Sequence, residues 1–143
     1  NIETLECAAD DLDEKLPPFD AAISRLGLML FPSPSGVLKA LQRVLRPDAR
    51  FAALVFTTPD NNPFMSQTMA ILLRCAGRSP PKPGQPGIFA LGGSGILERL
   101  MQDSGLAHVQ TKHVTASLNL PNASHALEMM QEAFGAYRAV VAD

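Results

Sequence analysis

The sequence holds few of the residues that mark several common protein classes. It has no tryptophan, one tyrosine and two cysteines among 143 residues. Cys7 and Cys75 are far apart and form no CxxC pair, which argues against a disulfide framework and against a thiolate zinc site. Since so few cysteines are typical of reducing compartments, we expect a cytoplasmic protein.

Neither acidic nor basic residues are in large excess. Twelve basic residues face 14 acidic ones, so the net charge is −2, and the pI is near 5.9. Proteins that bind nucleic acid or anionic membranes usually carry a basic excess, so we expect neither partner. No apolar run approaches the roughly 18 residues of a membrane span. The first twenty residues carry seven acids and one base, unlike a signal peptide.

Hydrophobic residues make up 46% of the chain, enough to build the core of one domain. Residues 19–24 and 50–57 are short apolar runs, typical of strands buried on both faces of a parallel sheet. The apolar residues between these runs recur at helical spacing, from Val37 to Leu45. Ser33 can cap that helix with Pro34 at its first position, and Pro47 would end it near Arg46. The pattern predicts a parallel βαβ unit and an α/β fold.

The remaining segments predict further elements. We expect a strand over residues 2–9, a helix over 63–75, and an ordered surface loop or lid over 77–95. A helix follows from a Ser94 cap to about Ser104, with Gly105 as its stop. Residues 107–117 alternate in polarity and predict a strand with one solvated face, and residues 122–141 predict a last helix.

Four segments together carry a resemblance to a known family: residues 9–12 (ADDL), 19–31 (FDAAISRLGLMLF), 43–51 (RVLRPDARF) and 97–109. In this order and spacing they resemble the class I S-adenosylmethionine-dependent methyltransferases similar to the ubiquinone/menaquinone biosynthesis enzymes. The resemblance covers nearly the whole chain. It implies that residues 19–24 are the family's fourth strand and that residues 43–51 lead into its fifth.

The resemblance also shows what this sequence lacks. The family's glycine-rich loop and the ribose-binding acid of its second strand do not precede Asn1, and its closing antiparallel strand does not follow Asp143. We therefore expect residues 1–143 to be a single domain that forms the middle or C-terminal portion of a methyltransferase-like fold, a partial Rossmann-like sheet with flanking helices. The family usually has two glycines where Asp48 and Ala49 stand, so this turn is expected to be strained or differently shaped.

The cofactor implied by the resemblance is S-adenosylmethionine. Asp10 is the candidate acceptor for its adenine amino group, with the next backbone N–H meeting the ring, and Asp11 is the alternative. Ser24, Arg25 and Leu26 end the fourth strand, beyond which ligands bind in open α/β sheets. Two plainer interpretations stay open: a solvated acidic loop for the aspartates, and an ion pair with that loop for Arg25.

The acceptor is expected to be a small, apolar molecule. Phe31, Phe64 and Phe89 are the candidate substrate-binding residues, and ordinary core packing is their alternative role. His108 and His113 would lie on opposite faces of a strand, so no metal site is predicted. No catalytic residue is identified, because methyl transfer depends on proximity and alignment more than on acid–base groups.

Two functions follow from these observations. The first is a methyltransferase fragment that moves a methyl group to a small, apolar acceptor, and that is inactive as the isolated chain. The alternative is a non-catalytic methyltransferase-like remnant that self-associates and binds no cofactor. Because the missing strands would leave sheet edges bare, we expect a homodimer.

Overall fold

The computed structural model describes residues 2–12, 16–82, 84–133 and 135–141. The elements are β1 (Phe19–Arg25), a 3₁₀ turn (Leu28–Leu30), α1 (Pro34–Val44), β2 (Leu45–Leu54), a 3₁₀ turn (Pro59–Asn61), α2 (Pro63–Cys75), α3 (Ile96–Asp103), α4 (Ala123–Ala133) and α5 (Gly135–Val141). They divide into two compact units. Unit 1 comprises residues 1–58 and 82–111, and unit 2 comprises residues 59–81 and 112–143. The assignment of residues 1–143 to one domain stays a prediction.

The predicted βαβ unit is confirmed in unit 1, and the chain is α/β. Strands β1 and β2 pair in parallel, with α1 between them in the sequence. The Ser33 side chain accepts a hydrogen bond from the Gly36 N–H at 3.2 Å, and Pro34 opens the helix, as the sequence indicates. The helix ends at Val44, two residues before the predicted end, and β2 follows it directly.

An irregularity interrupts the start of β2. Phe19 stands opposite Leu45 and Ala21 opposite Arg50, so residues 46–49 bulge out across from a single residue of β1. Within the bulge Asp48 has φ +64°, a left-handed conformation that costs a side-chain-bearing residue energy, although aspartate tolerates it better than most. The strained turn expected at this position is therefore present.

The sheet is covered on one face only, which corrects the prediction of strands buried on both faces. Alternate residues of β1 and β2 are half-buried, and the residues between them are exposed. Ile23 is 85% exposed and Leu54 is 51% exposed. The difference has a simple physical cause, since α1 packs against β2 on the half-buried face while the side chains of the other face meet solvent.

The core of unit 1 lies beside the covered face. Its buried members come from four stretches of the chain: Leu28, Met29, Leu38, Leu91 and Met101. Half-buried Phe51 and Ala53 of β2 pack against this cluster. At the ordinary value of about 1.5–3 kcal/mol for each fully buried large apolar side chain, burial of these residues stabilises unit 1 by several kcal/mol.

The glycine-rich segment before α3 belongs to this core, which corrects the prediction of a surface loop or lid from residue 87 onward. The Gly87 N–H donates to the Met29 carbonyl at 3.1 Å, and Leu91 is buried. The Phe89 ring meets the edge of the Phe56 ring, with centroids 6.3 Å apart. The exposed residues of this segment are Gly77, the described residues of 78–86, and Ser94.

The sequence predicted the end of helix α3 correctly but not its start. Gly95, with φ +71°, is its N-cap, and Ser94 makes no cap, because the left-handed turn moves the helix start to Ile96. Gly105 ends the helix as predicted, with φ +89° and its N–H donating to the Gln102 carbonyl at 2.9 Å. Gln42 of α1 donates to the Ser104 carbonyl at 2.6 Å and joins the two helices.

Two predicted strands are wrong. Residues 2–9 and 107–117 form no strand in the described structure, and most of their side chains are exposed. A strand needs a partner to satisfy its backbone N–H and C=O groups, and neither segment pairs with a described residue in the sheet. Alternating or apolar sequence alone therefore did not produce strands here.

The regular elements described in unit 2 are all helices or helical turns. Helix α2 begins and ends as predicted, at Pro63 and Cys75, and the predicted last helix is represented by α4 and α5, between which residue 134 lies outside the described residues. Tyr137 of α5 is 3% exposed, and its hydroxyl lies 2.7 Å from Thr68 Oγ1 and donates to the Met65 carbonyl at 3.0 Å. Burial raises the pKa of Tyr137 above its ordinary 10.0, and the hydrogen bond with Thr68 partly offsets this.

Gly92 marks a close approach of two backbone segments in unit 1. A β-carbon there would lie 2.6 Å from the Phe56 carbonyl oxygen and would also clash with the carbonyl of Thr57. We predict that Gly92→Ala lowers the free energy of unfolding by about 1–3 kcal/mol, since the backbones must separate. Gly27→Ala is the control, because its β-carbon would lie 3.5 Å from Ser24 Oγ and should change stability by less than about 0.5 kcal/mol. Urea unfolding followed by circular dichroism measures both, and equal stability of the two variants would contradict the prediction.

Tyr137 provides a second test, because it is the chain's only tyrosine. The raised pKa means that the stability gained from the neutral phenol is complete below pH 10.0 and is lost as the pH rises through the folded-state pKa. We predict that tyrosinate absorbance titrates above pH 10.0 in the folded chain and near pH 10.0 in urea.

In the matching variant Tyr137→Phe, the hydrogen bonds to Met65 and Thr68 are lost. Its free energy of unfolding at neutral pH should fall by about 1 kcal/mol, and its stability should depend less on pH above about pH 10. The same tyrosinate midpoint in folded and unfolded chain would show that the phenol is not buried.

Candidate functional site

A largely apolar cavity in unit 1 is the candidate site. Its volume is about 290 Å³. Three parts of the chain form its wall: the N-terminal segment, β1 with the turn that follows it, and one side of α1 with β2. The lining residues are Leu5, Cys7, Ala9, Leu12, Ala22, Ile23, Ser24, Leu28, Phe31, Val37, Leu41 and Phe51. Not one of them is charged, and Ser24 and Cys7 supply the polar side-chain atoms.

Residues 9–12 lie beside the start of α1. The Asp11 N–H donates to the Ala8 carbonyl at 3.0 Å and closes a turn there. The Asp10 β-carbon lies 3.8 Å from the position that a β-carbon at Gly36 would take. Ala9 and Leu12 face the cavity, while the side chains of Asp10 and Asp11 are exposed.

This turn bears on the choice between the two aspartates. If Asp10 accepted from an adenine amine, the next backbone N–H would be that of Asp11, which already bonds Ala8. If Asp11 is the acceptor, the next N–H is that of Leu12, which makes no hydrogen bond with another described residue. The local geometry favours Asp11 for the expected pair of contacts.

The end of β1 carries the other predicted cofactor residues. Ser24 is half-buried on the cavity wall, and Arg25 is exposed without an ion pair to any described residue. Leu26 follows with φ +56°, and its N–H donates to the Leu54 carbonyl at 2.9 Å. A leucine in the left-handed region is unusual and marks the turn at the carboxyl end of β1 as strained.

The three predicted substrate-binding phenylalanines are distributed over different parts of the chain. Phe31 lines the cavity. Phe89 packs on Phe56 in the core of unit 1. Phe64 belongs to α2 in unit 2, where its carbonyl accepts from Thr68 Oγ1 at 2.6 Å.

Several lining residues were missed from the sequence. Cys7 and Leu5 lie in the segment predicted as a strand, and Val37 and Leu41 lie on the apolar side of α1. The helical periodicity identified the two α1 residues as apolar and inward-facing but did not separate a cavity wall from core. No local signal in the sequence indicates that the N-terminal segment faces β1.

The described residues contain neither a metal-binding cluster nor a membrane-spanning helix. Among the described parts of the chain, no group of three or more His, Cys, Asp or Glu side chains is placed to hold a metal ion. Within the same residues, every helix is too short or too polar to cross a bilayer.

Comparisons with known proteins give no family for this chain. A scan against protein-family models, a search of curated proteins and a search of solved structures each found no match.

Proposed function

We propose that this chain is a piece of an S-adenosylmethionine-dependent methyltransferase that transfers a methyl group to a small, apolar acceptor. One observation carries the proposal: the cavity brings Ala9 and Leu12, which flank the aspartates, to the same wall as Ser24 at the end of β1. The resemblance assigns these stretches to the ends of the third and fourth strands, and of these two only the fourth corresponds to a strand of this structure, β1. The parallel pairing of β1 with β2 supports a Rossmann-like arrangement of this part.

The residues present fit part of the cofactor. Asp11 suits the adenine ring together with the Leu12 N–H, which bonds no other described residue, and Arg25 stands where the methionine end would lie in the resembling enzymes. The cofactor would supply the methyl group, while this chain's residues would bind and orient the cofactor and the acceptor. Since no described residue replaces the family's glycine-rich loop or its ribose-binding acid, the fit is incomplete.

We predict that the chain binds S-adenosylmethionine weakly, with a dissociation constant of about 1 mM or higher, because each missing buried hydrogen-bonding group costs about 1–3 kcal/mol. In a titration followed by amide NMR, the Leu12 resonance should move. Asp11→Asn should weaken binding about tenfold or more, as expected when a charged acceptor is lost. Asp10→Asn is the matched control and should bind like the wild type.

The possible results of this titration distinguish the two functions. A micromolar dissociation constant would show that the anchors are more complete than described. Equal effects of the two asparagine variants would remove Asp11 from the adenine site. No movement of any resonance at about 10 mM cofactor would favour the second function, since such a concentration detects even very weak sites.

The second function, a non-catalytic remnant that self-associates, is favoured by the bare sheet. Strand β1 pairs only with β2 in the described structure, so its other edge offers unpaired backbone groups. Ile23 on β1 and Leu54 on β2 expose apolar side chains on the uncovered face. Proteins rarely leave such edges and faces open, and a second copy in a two-fold dimer can cover them.

We predict a concentration-dependent dimer by sedimentation equilibrium at micromolar concentration. Ile23→Lys should weaken the association about thirtyfold, the effect of losing a central interface residue. Val114→Lys is the control, because Val114 is 72% exposed but lies outside the sheet. A monomer of 15.3 kDa at every concentration, or equal weakening by both variants, would rule out association through the sheet.

A further inference from the structure

We infer that the cavity of unit 1 binds a small, uncharged, apolar molecule with one hydrogen-bonding group, directly and without the cofactor. The inference deepens the proposed function. That the ligand is the methyl acceptor rests on the proposed function, whereas its binding is argued from the cavity alone.

The size of the cavity restricts its occupant. Ligand pockets in proteins run from about 300 to 1,000 Å³, so about 290 Å³ lies at the small end of that range. A molecule of one or two fused rings is of a size that such a cavity can take.

The chemistry of the wall selects an uncharged ligand. The lining contains no charged side chain, and transfer of an unpaired charge to such a wall is costly. Val37, Leu41 and Phe51 offer broad apolar contact on the α1 side. Buried apolar area of this kind supplies most of the binding free energy of a small ligand.

Ser24 supplies the directional contact. Its side chain makes no hydrogen bond with another described residue, and it is half-buried on the cavity wall. A hydroxyl can donate to a ligand oxygen or accept from a ligand hydroxyl. A ligand with one such group in an otherwise apolar frame therefore matches the wall.

The two cysteines allow a direct test. Cys7 lies on the cavity wall, and Cys75 ends α2 in unit 2; both are free and exposed. The probe is 2-naphthol, a two-ring apolar molecule with one hydroxyl. Alkylation by N-ethylmaleimide is followed at each cysteine by peptide mass spectrometry. A bound probe shields Cys7, and Cys75 reports any general effect on thiol reactivity.

We expect 2-naphthol to slow alkylation of Cys7 with a half-effect below about 0.5 mM, a reasonable affinity for a ligand of this size. At a concentration about ten times the dissociation constant, the Cys7 rate should fall about tenfold, while the Cys75 rate stays unchanged. Naphthalene-2-sulfonate, of the same shape but charged, should not protect. Ala22→Leu, which fills the cavity, should abolish protection.

A milder variant keeps the test informative if Ala22→Leu does not fold. Ser24→Ala should weaken protection by 2-naphthol about two- to tenfold and leave protection by naphthalene unchanged, because only the hydroxyl needs Ser24. The same reduction for both probes would remove Ser24 from ligand recognition.

The remaining outcomes overturn the inference. Equal rates at Cys7 with and without 2-naphthol, or equal slowing at both cysteines, would show that the cavity takes no such ligand. Protection by naphthalene-2-sulfonate as well would contradict the uncharged assignment, and protection by S-adenosylmethionine alone would assign the cavity to the cofactor. Because the 2-naphthol arm contains no cofactor, it can succeed where cofactor binding fails, which would count against the proposed function only.

Discussion

Packing of α1 against the sheet is the interaction on which the rest of unit 1 depends. Two parallel strands alone are too small to be stable, and they need a crossover element that covers them. Leu38 at the centre of α1 is fully buried in the core cluster, beside Leu28 and Met29. At about 1.5–3 kcal/mol for each such side chain, this contact is a large favourable contribution, which offsets part of the conformational entropy lost when the unit folds.

The same packing leaves one face of the sheet covered and the other face exposed. Half-buried residues of β1 and β2 share the face on which α1 packs, and the N-terminal segment closes that side into a cavity. On the other face Ile23 and Leu54 remain exposed. Ile23 also borders the cavity, so a ligand and a second copy would both reach this residue.

Sequence patterns predicted the elements whose cause is local. Ser33 and Pro34 fixed the start of α1, and helix α2 was predicted at both ends, because caps and helical periodicity act over a few residues. The strands over 2–9 and 107–117 were wrong because strand formation depends on partners far away in the sequence. The cavity was only partly predicted: Ser24 and Phe31 were identified as site residues, whereas Cys7 required knowledge of where the N-terminal segment lies.

The parallel register of β1 and β2 is the central claim, and inter-strand NMR contacts test it most directly. The account predicts backbone contacts in which the partner residue advances with β1, from Arg50 opposite Ala21 to Leu54 opposite Arg25. Both strands should also hold their inter-strand amides against hydrogen exchange. Contacts in the reverse order, with the partner number falling as β1 advances, would contradict the βαβ unit and everything built on it.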